Sequence, residues 1–201
     1  MRYGMVIDLK KCIGCRGCSI ACKSENCTPP GMFWNDVVEQ EFGTFPNVTK
    51  TYLPRPCMHC EEPECVRVCP TGASYKREDG LVLVDSDKCM GCRYCVIACP
   101  YQARSYLGKL KGYFGNNYLT PYEKVGYKKF QEGVAYKCTF CVHRIEKGLK
   151  PACVANCMGN ARYFGDLDDP NSEVSQLLSK HHTFQLMPEK GTKPSVYYIA
   201  P

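Results

Sequence analysis

No part of this chain reads as a membrane span, because every apolar run falls short of the roughly 18 residues that a spanning helix needs. Met1-Arg2-Tyr3-Gly4 leads directly into an apolar strand, without the charged start and long apolar core of a secretory signal. A twin-arginine leader is also missing. The expectation is a soluble, peripheral protein with no signal peptide of its own. It would be cytoplasmic, or exported together with a signal-bearing partner, and any membrane association would come through another subunit. Tryptophan is almost absent: Trp34, the single one, sits beside Phe33 and reads as cover for a small core rather than as a docking contact.

Cysteine, by contrast, is abundant, with 17 in 201 residues. Such a level in a short secreted chain suggests a disulfide scaffold, and structural zinc is a further alternative. Neither predicts the observed grouping, which is four tight sets of four with Cys27 left over as a bystander thiol. The most informative set is Cys89-Met90-Gly91-Cys92-Arg93-Tyr94-Cys95, continuing through Cys99-Pro100. Its C-x2-C-x2-C-x3-C-P spacing is the run by which bacterial ferredoxins hold cubane iron–sulfur clusters. Three thiolates on a tight loop can wrap one face of a cluster, and Gly91 lets the backbone approach it. The fourth cysteine lies one helical turn on, about 6 Å further along the axis. In two-cluster ferredoxins that fourth thiolate serves the other cluster, so a second motif is expected.

Taken in order, Tyr3 to Ile7 reads as a strand, followed by Cys12, Cys15, Cys18 and Cys22 and a short helix from Ser19 to Asn26. Residues 27–47, with Pro29, Pro30, Gly31, Gly43 and Pro46, read as a surface loop. Val48 to Leu53 suits a strand. Cys57, Cys60, Cys65 and Cys69 follow at x2, x4, x3. His59 lies between two of them but is not needed as a ligand, since the cysteines are already sufficient. Ala73 to Lys76 and Leu81 to Val84 read as a hairpin turning at Asp79-Gly80. Ala103 to Leu107 is a further strand. Residues 108–133 mix Lys109, Lys111, Lys124, Lys128 and Lys129 with tyrosines and glycines, and read as a solvated insertion. Cys138, Cys141, Cys153 and Cys157 form the last motif, at x2, x11, x3, with a helical turn from Val142 to Lys147. Asp166 to Pro170 reads as a turn into an N-cap at Asn171 or Ser172, then a helix from Glu173 to Lys180. Ser195 to Ile199 closes the chain as a strand.

The fold class expected is α+β, made of two bacterial ferredoxin-like, two-cluster units, one nested inside the other, with a loop-rich insertion. The inner unit spans 54–107, the outer unit 1–53 and 134–201, and the insertion 108–133. Exchange of fourth cysteines in the inner unit assigns Cys57, Cys60, Cys65 and Cys99 to one cluster (cluster three) and Cys69, Cys89, Cys92 and Cys95 to another (cluster four). The outer motifs pair by elimination. The same exchange then assigns Cys12, Cys15, Cys18 and Cys157 to cluster one, and Cys22, Cys138, Cys141 and Cys153 to cluster two. The formal charge of +6 does not point to nucleic acid. An oxidised four-iron cluster with four thiolates carries about −2, so four of them bring the total to about −2 (6 − 8). Arg16, Arg93, Lys137 and Arg144 lie in or beside motifs and are candidates for tuning cluster potentials.

The chain resembles the four-cluster, ferredoxin-like electron-transfer subunit of the molybdopterin oxidoreductases of the dimethyl sulfoxide reductase class. The resemblance rests on Val6-Ile7-Asp8, Cys69-Pro70-Thr71-Gly72-Ala73, Asp79-Gly80, Cys92-Arg93-Tyr94-Cys95, Lys137-Cys138-Thr139-Phe140-Cys141, Pro151-Ala152-Cys153-Val154 and Gly165-Asp166-Leu167-Asp168-Asp169-Pro170. It covers nearly the whole chain. Two points of detail stand out: Met158 follows Cys157, where such subunits often have proline, and Cys92 is present where some have lost a cysteine and hold three irons. The resemblance implies a non-catalytic subunit with four 4Fe–4S clusters. Its partners would be a large catalytic subunit that alone holds molybdopterin (Mo or W) and a membrane anchor or soluble carrier. It also implies an order of conduction from the catalytic subunit through clusters one, two, three and four. A free polyferredoxin or a hydrogenase-linked relay is the alternative, with the same clusters but different company.

Overall fold

The apolar run after Tyr3 becomes the inner strand of the largest sheet. The computed structural model describes residues 1–115 and 118–201. Its first half runs β1 (Tyr3–Asp8), α1 (Gly17–Asn26), β2 (Asn35–Thr44), β3 (Asn47–Pro56), α2 (Glu64–Arg67), β4 (Ser74–Lys76), β5 (Val82–Val84), α3 (Tyr94–Ala98) and β6 (Arg104–Leu107). Its second half runs α4 (Pro121–Gly126), β7 (Val134–Lys137), α5 (Val142–Ile145), α6 (Ala152–Ala155), β8 (Arg162–Asp166), α7 (Glu173–Lys180), β9 (Thr183–Phe184) and β10 (Val196–Ile199). The class is mixed α and β, as expected.

The main sheet has the order β8-β1-β10-β9. β1 pairs antiparallel with β8 and parallel with β10, so it is hydrogen-bonded on both edges. Met5, Val6 and Ile7 are all fully buried, because both faces of this strand are covered. Val6 packs with Val174 of α7 and with Ile199 on one face, while Met5 and Ile7 join the large core on the other. That split follows the two-residue period of a strand. Ser172 is the N-cap of α7, its Oγ accepting from Ser175 N–H at 3.2 Å.

β4 and β5 form the expected hairpin, closed where Asp79 Oδ1 accepts from Leu81 N–H at 3.2 Å. Two other expectations need correction. Residues 27–47 are not a loop throughout: Asn35–Thr44 is a ten-residue strand paired along its length with β3. Gly43 and Pro46 mark only its tip, and the cross-strand ladder holds the rest. The 108–133 segment is not simply solvated either. Thr120 and Glu123 form a capping box that starts α4, and Tyr127 and Phe130 are buried. Phe130 stands edge-on to Tyr136 at 4.9 Å and also meets Trp34 at 6.1 Å. Trp34 is buried, as read from the sequence, and Phe33 beside it is exposed. Asn116 and Asn117, inside the expected insertion, lie outside the described residues. β6 pairs with β7, so the chain leaves and re-enters the same small sheet around this segment.

Candidate metal centres

All four cysteine motifs share one backbone device. The residue before the second cysteine has a left-handed conformation in each: Gly14 (φ 69°), His59 (φ 42°), Gly91 (φ 74°) and Phe140 (φ 53°). That reversal curls the loop and points successive cysteines to one side. Arg16 and Arg93 repeat it one residue after the second cysteine, at φ 56° and 63°, and start α1 and α3. The third cysteine of every motif then sits on a short helix: Cys18 on α1, Cys65 on α2, Cys95 on α3 and Cys153 on α6. Those helices pack in two pairs, α1 on α6 and α2 on α3.

These helix pairs gather the cysteines. Cys12, Cys15, Cys18 and Cys157 line one cavity with Ile13, Gly14 and Arg162, about 360 Å³ of empty space counting its open mouth. Cys22, Cys141 and Cys153 lie around Cys138, which is also close to Cys57. Cys57, Cys65 and Cys99 surround Cys60. Cys95 stands on α3, which packs on α2 with Cys65 and on β6 with Arg104; Cys69 follows α2 by two residues. All 17 cysteines are free, with no disulfide among them.

Burial dominates the thiol electrostatics. It pushes Cys22 up to about 12, with Cys153 and Cys141 adding to the rise. Burial, then Cys57, pushes Cys60 up to about 12, and Cys138 is raised well above its ordinary value by burial and by Cys22. A metal bound by such thiols would displace their protons. Several already have donors aimed at sulfur: Ser74 N–H to Cys69 at 3.4 Å, Phe140 N–H to Cys138 at 3.4 Å and Ala161 N–H to Cys157 at 3.3 Å. At Cys69 burial works upward, but the N–H groups of Ser74 and its neighbours outweigh it and the thiol is lowered.

The four tuning candidates have different settings. Arg16 is exposed and bonds Glu39 at 2.9 Å. Arg93 is exposed and lies 3.8 Å over the Tyr106 ring. Arg144 bonds Glu25 at 2.9 Å. Only Lys137 is buried, at 2% exposure, its Nζ donating to the Cys138 carbonyl at 2.8 Å. His59 is not free to be a ligand: its Nδ1 accepts from Val82 N–H at 3.1 Å and its Nε2 donates to the Cys138 carbonyl at 3.0 Å.

Two residues that sequence reasoning passed over are the buried arginines Arg104 and Arg162, at 5% and 4% exposure. Arg162 Nη2 donates to Cys18 Sγ at 3.3 Å and to Asn35 Oδ1 at 2.9 Å. Arg104 Nη1 donates to Ser74 Oγ at 2.9 Å, while its Nε and Nη2 are buried without a partner. Neither pairs with a carboxylate among the described residues. A buried cation with orphaned donors needs an anion beside it. The charges of Cys65, Cys95 and Cys57 act on Arg104, and a thiolate-ligated cluster held by such cysteines would supply both the negative charge and the acceptor sulfurs. The residues therefore fit iron–sulfur clusters. A signal was available: each arginine lies five residues after the last cysteine of its motif, Cys99 or Cys157.

Grouped cysteines, a helix-borne third cysteine in each motif and N–H groups aimed at sulfur define an iron–sulfur protein of the ferredoxin type. A family model described as a 4Fe-4S dicluster domain matches residues 48–113 and 116–167. The selenate reductase B subunit of Mesobacillus selenatarsenatis is 50% identical over 210 residues, covering 99% of this chain and 72% of that one. The arsenate respiratory reductase iron-sulfur subunit of a Shewanella species is 44% identical over 225 residues, covering 99% of this chain and 96% of its own. The tetrathionate reductase B subunit of Salmonella typhimurium is 45% identical over 204 residues, covering 98% of this chain and 72% of its own. The chain belongs to this family of iron–sulfur B subunits: it is an electron-transfer subunit, not the catalytic one. No helix among the described residues is long and apolar enough to cross a membrane.

Proposed function

We propose that the chain holds four 4Fe–4S clusters with the ligand sets given above, in two nested two-cluster units, and conducts electrons between a molybdopterin catalytic subunit and an external or membrane redox partner. The observation that carries this reading is an unbroken succession of cysteine sets. Cys18 of the first and Cys153 of the second stand on the packed helices α1 and α6. The Cys138 carbonyl of the second accepts from His59, two residues after Cys57 of the third, at 3.0 Å. Cys65 of the third and Cys95 of the fourth stand on the packed helices α2 and α3. Exposure supports the same order. Cys15 and Cys92 are the exposed cysteines, and both belong to the end sets. Ile13 and Ile20 beside the first set are 61% and 63% exposed, and Met90 and Ile97 beside the fourth are 67% and 81% exposed. Met58, in the matching position of the second motif, is 1% exposed. The wire would then meet partners at its two ends and keep its middle dry. Each cluster supplies a one-electron carrier, and the protein sets spacing, potential and water access.

The test is to purify the chain anaerobically with whatever binds it. About 16 iron atoms per chain, a broad absorption near 400 nm that dithionite bleaches, and a co-purifying molybdenum or tungsten subunit are expected. A colourless zinc protein would end the reading, and a nickel enzyme in place of the molybdenum subunit would favour a hydrogenase relay.

A further inference from the structure

The two buried arginines occupy equivalent places. Each is the first residue of the strand that follows its unit's last motif, β6 for Arg104 and β8 for Arg162. Each is anchored by neutral side chains, Ser74 for Arg104, and Asn35 with Met5 for Arg162. Each also faces cysteines assigned to two different clusters. Arg162 lies against Cys18 and Cys157 of the first set and Cys153 of the second. Arg104 opens β6, which packs on α3 with Cys95 of the fourth set, and bonds Ser74 of β4, which packs on α2 with Cys65 of the third; the charges of Cys65, Cys95 and Cys57 all act on it.

We propose that Arg162 and Arg104 are shared potential-setting residues, each raising the reduction potentials of both clusters in its unit. The proposal rests on the four-cluster reading above. A guanidinium is charged at every accessible pH, so the bias it exerts is permanent. Reduction adds one electron, and hence one negative charge, to a cluster. A fixed cation in a dry interior stabilises that reduced state more than the oxidised one. No carboxylate among the described residues pairs with either charge, and the anchors Ser74 and Asn35 are neutral. Placement between two sets makes the effect common to both, so neighbouring carriers move together and the step between them stays small. Arg16, Arg93 and Arg144, lying in exposed or ion-paired settings, are screened from any such role.

The experiment is an EPR-monitored redox titration of the iron-loaded full chain, with iron counted in parallel, on wild type and on Arg162→Gln, Arg104→Gln and the matching lysine variants. Arg162→Gln should lower the potentials of two of the four clusters, and Arg104→Gln those of the other two. Each lysine variant should stay near wild type. Potentials that do not move, or a shift confined to one cluster, would overturn the proposal. If a glutamine variant loses iron, retention by the lysine variant supports the charge role and equal loss in both refutes it. A wild-type chain with fewer than four clusters would instead defeat the four-cluster reading, which the iron count reports separately.

Discussion

His59 stacks on Phe140, with ring centroids 3.8 Å apart and planes inclined by 21°. Both are the residue before the second cysteine of their motif, and both are held in the left-handed region where glycine serves in the other two motifs. A side chain there costs backbone strain. The stacking, and two hydrogen bonds through the His59 ring, offset it. The pair therefore clamps the second motif to the fourth, where Cys57 and Cys138 come close.

Phe140→Ala removes a side chain that is 1% exposed from this clamp. The expected cost is about 3–5 kcal/mol. Thermal unfolding of the iron-loaded chain should show it as a large fall in midpoint, with Phe140→Leu in between. A midpoint unchanged by the alanine would show that the stack bears no load.

The same site gives a pH dependence. Burial, and then the nearby Lys137 charge, hold the His59 pKa well below its ordinary 6.5. The folded state keeps this ring neutral, whereas the unfolded chain protonates it near 6.5. The stability it contributes is complete above that value and is lost as pH falls below it. Unfolding midpoints measured from neutral pH downward should decline, and His59→Gln should flatten the decline. Parallel curves for the two proteins would contradict the assignment.

Cys99→Ser tests the exchange of fourth ligands. It should damage the cluster assigned to Cys57, Cys60 and Cys65 and leave the one wrapped by Cys89, Cys92 and Cys95 nearer normal. EPR of the reduced variant distinguishes these. An altered Cys89 cluster beside an intact Cys57 cluster would reverse the pairing.

Gly91→Ala places a Cβ against the Gly133 carbonyl at φ 74°. Gly31→Ala meets the same backbone penalty at φ 76° with open space around it. The second should cost on the order of 1 kcal/mol. The first should cost more and lower iron occupancy, read by iron analysis alongside thermal unfolding.

Thr120→Ala removes the cap of α4 and should cost about 1 kcal/mol while leaving iron content unchanged. Loss of iron in this variant would tie the 108–133 segment to the clusters.

The sequence by itself determined the number, grouping and spacing of the cysteines. Cluster chemistry restricts thiolate spacing so tightly that Cys12 to Cys22 and Cys89 to Cys99 stand out as candidate motifs. Local signals were also sufficient for the Asp79-Gly80 hairpin and the Ser172-capped helix, since turns and caps are decided within a few residues. The tertiary structure decided what depends on distant partners. β2 is a strand because β3 lies along it, and Phe130 is buried where Trp34, Tyr127 and Tyr136 meet it. His59 and Phe140, placed in different motifs, became a clamp through stacking. Arg104 and Arg162 look like ordinary surface charges in the sequence. Their burial against cysteines of two sets arises from strand pairing and helix packing, which bring together residues more than a hundred positions apart, such as Arg162 and Cys18.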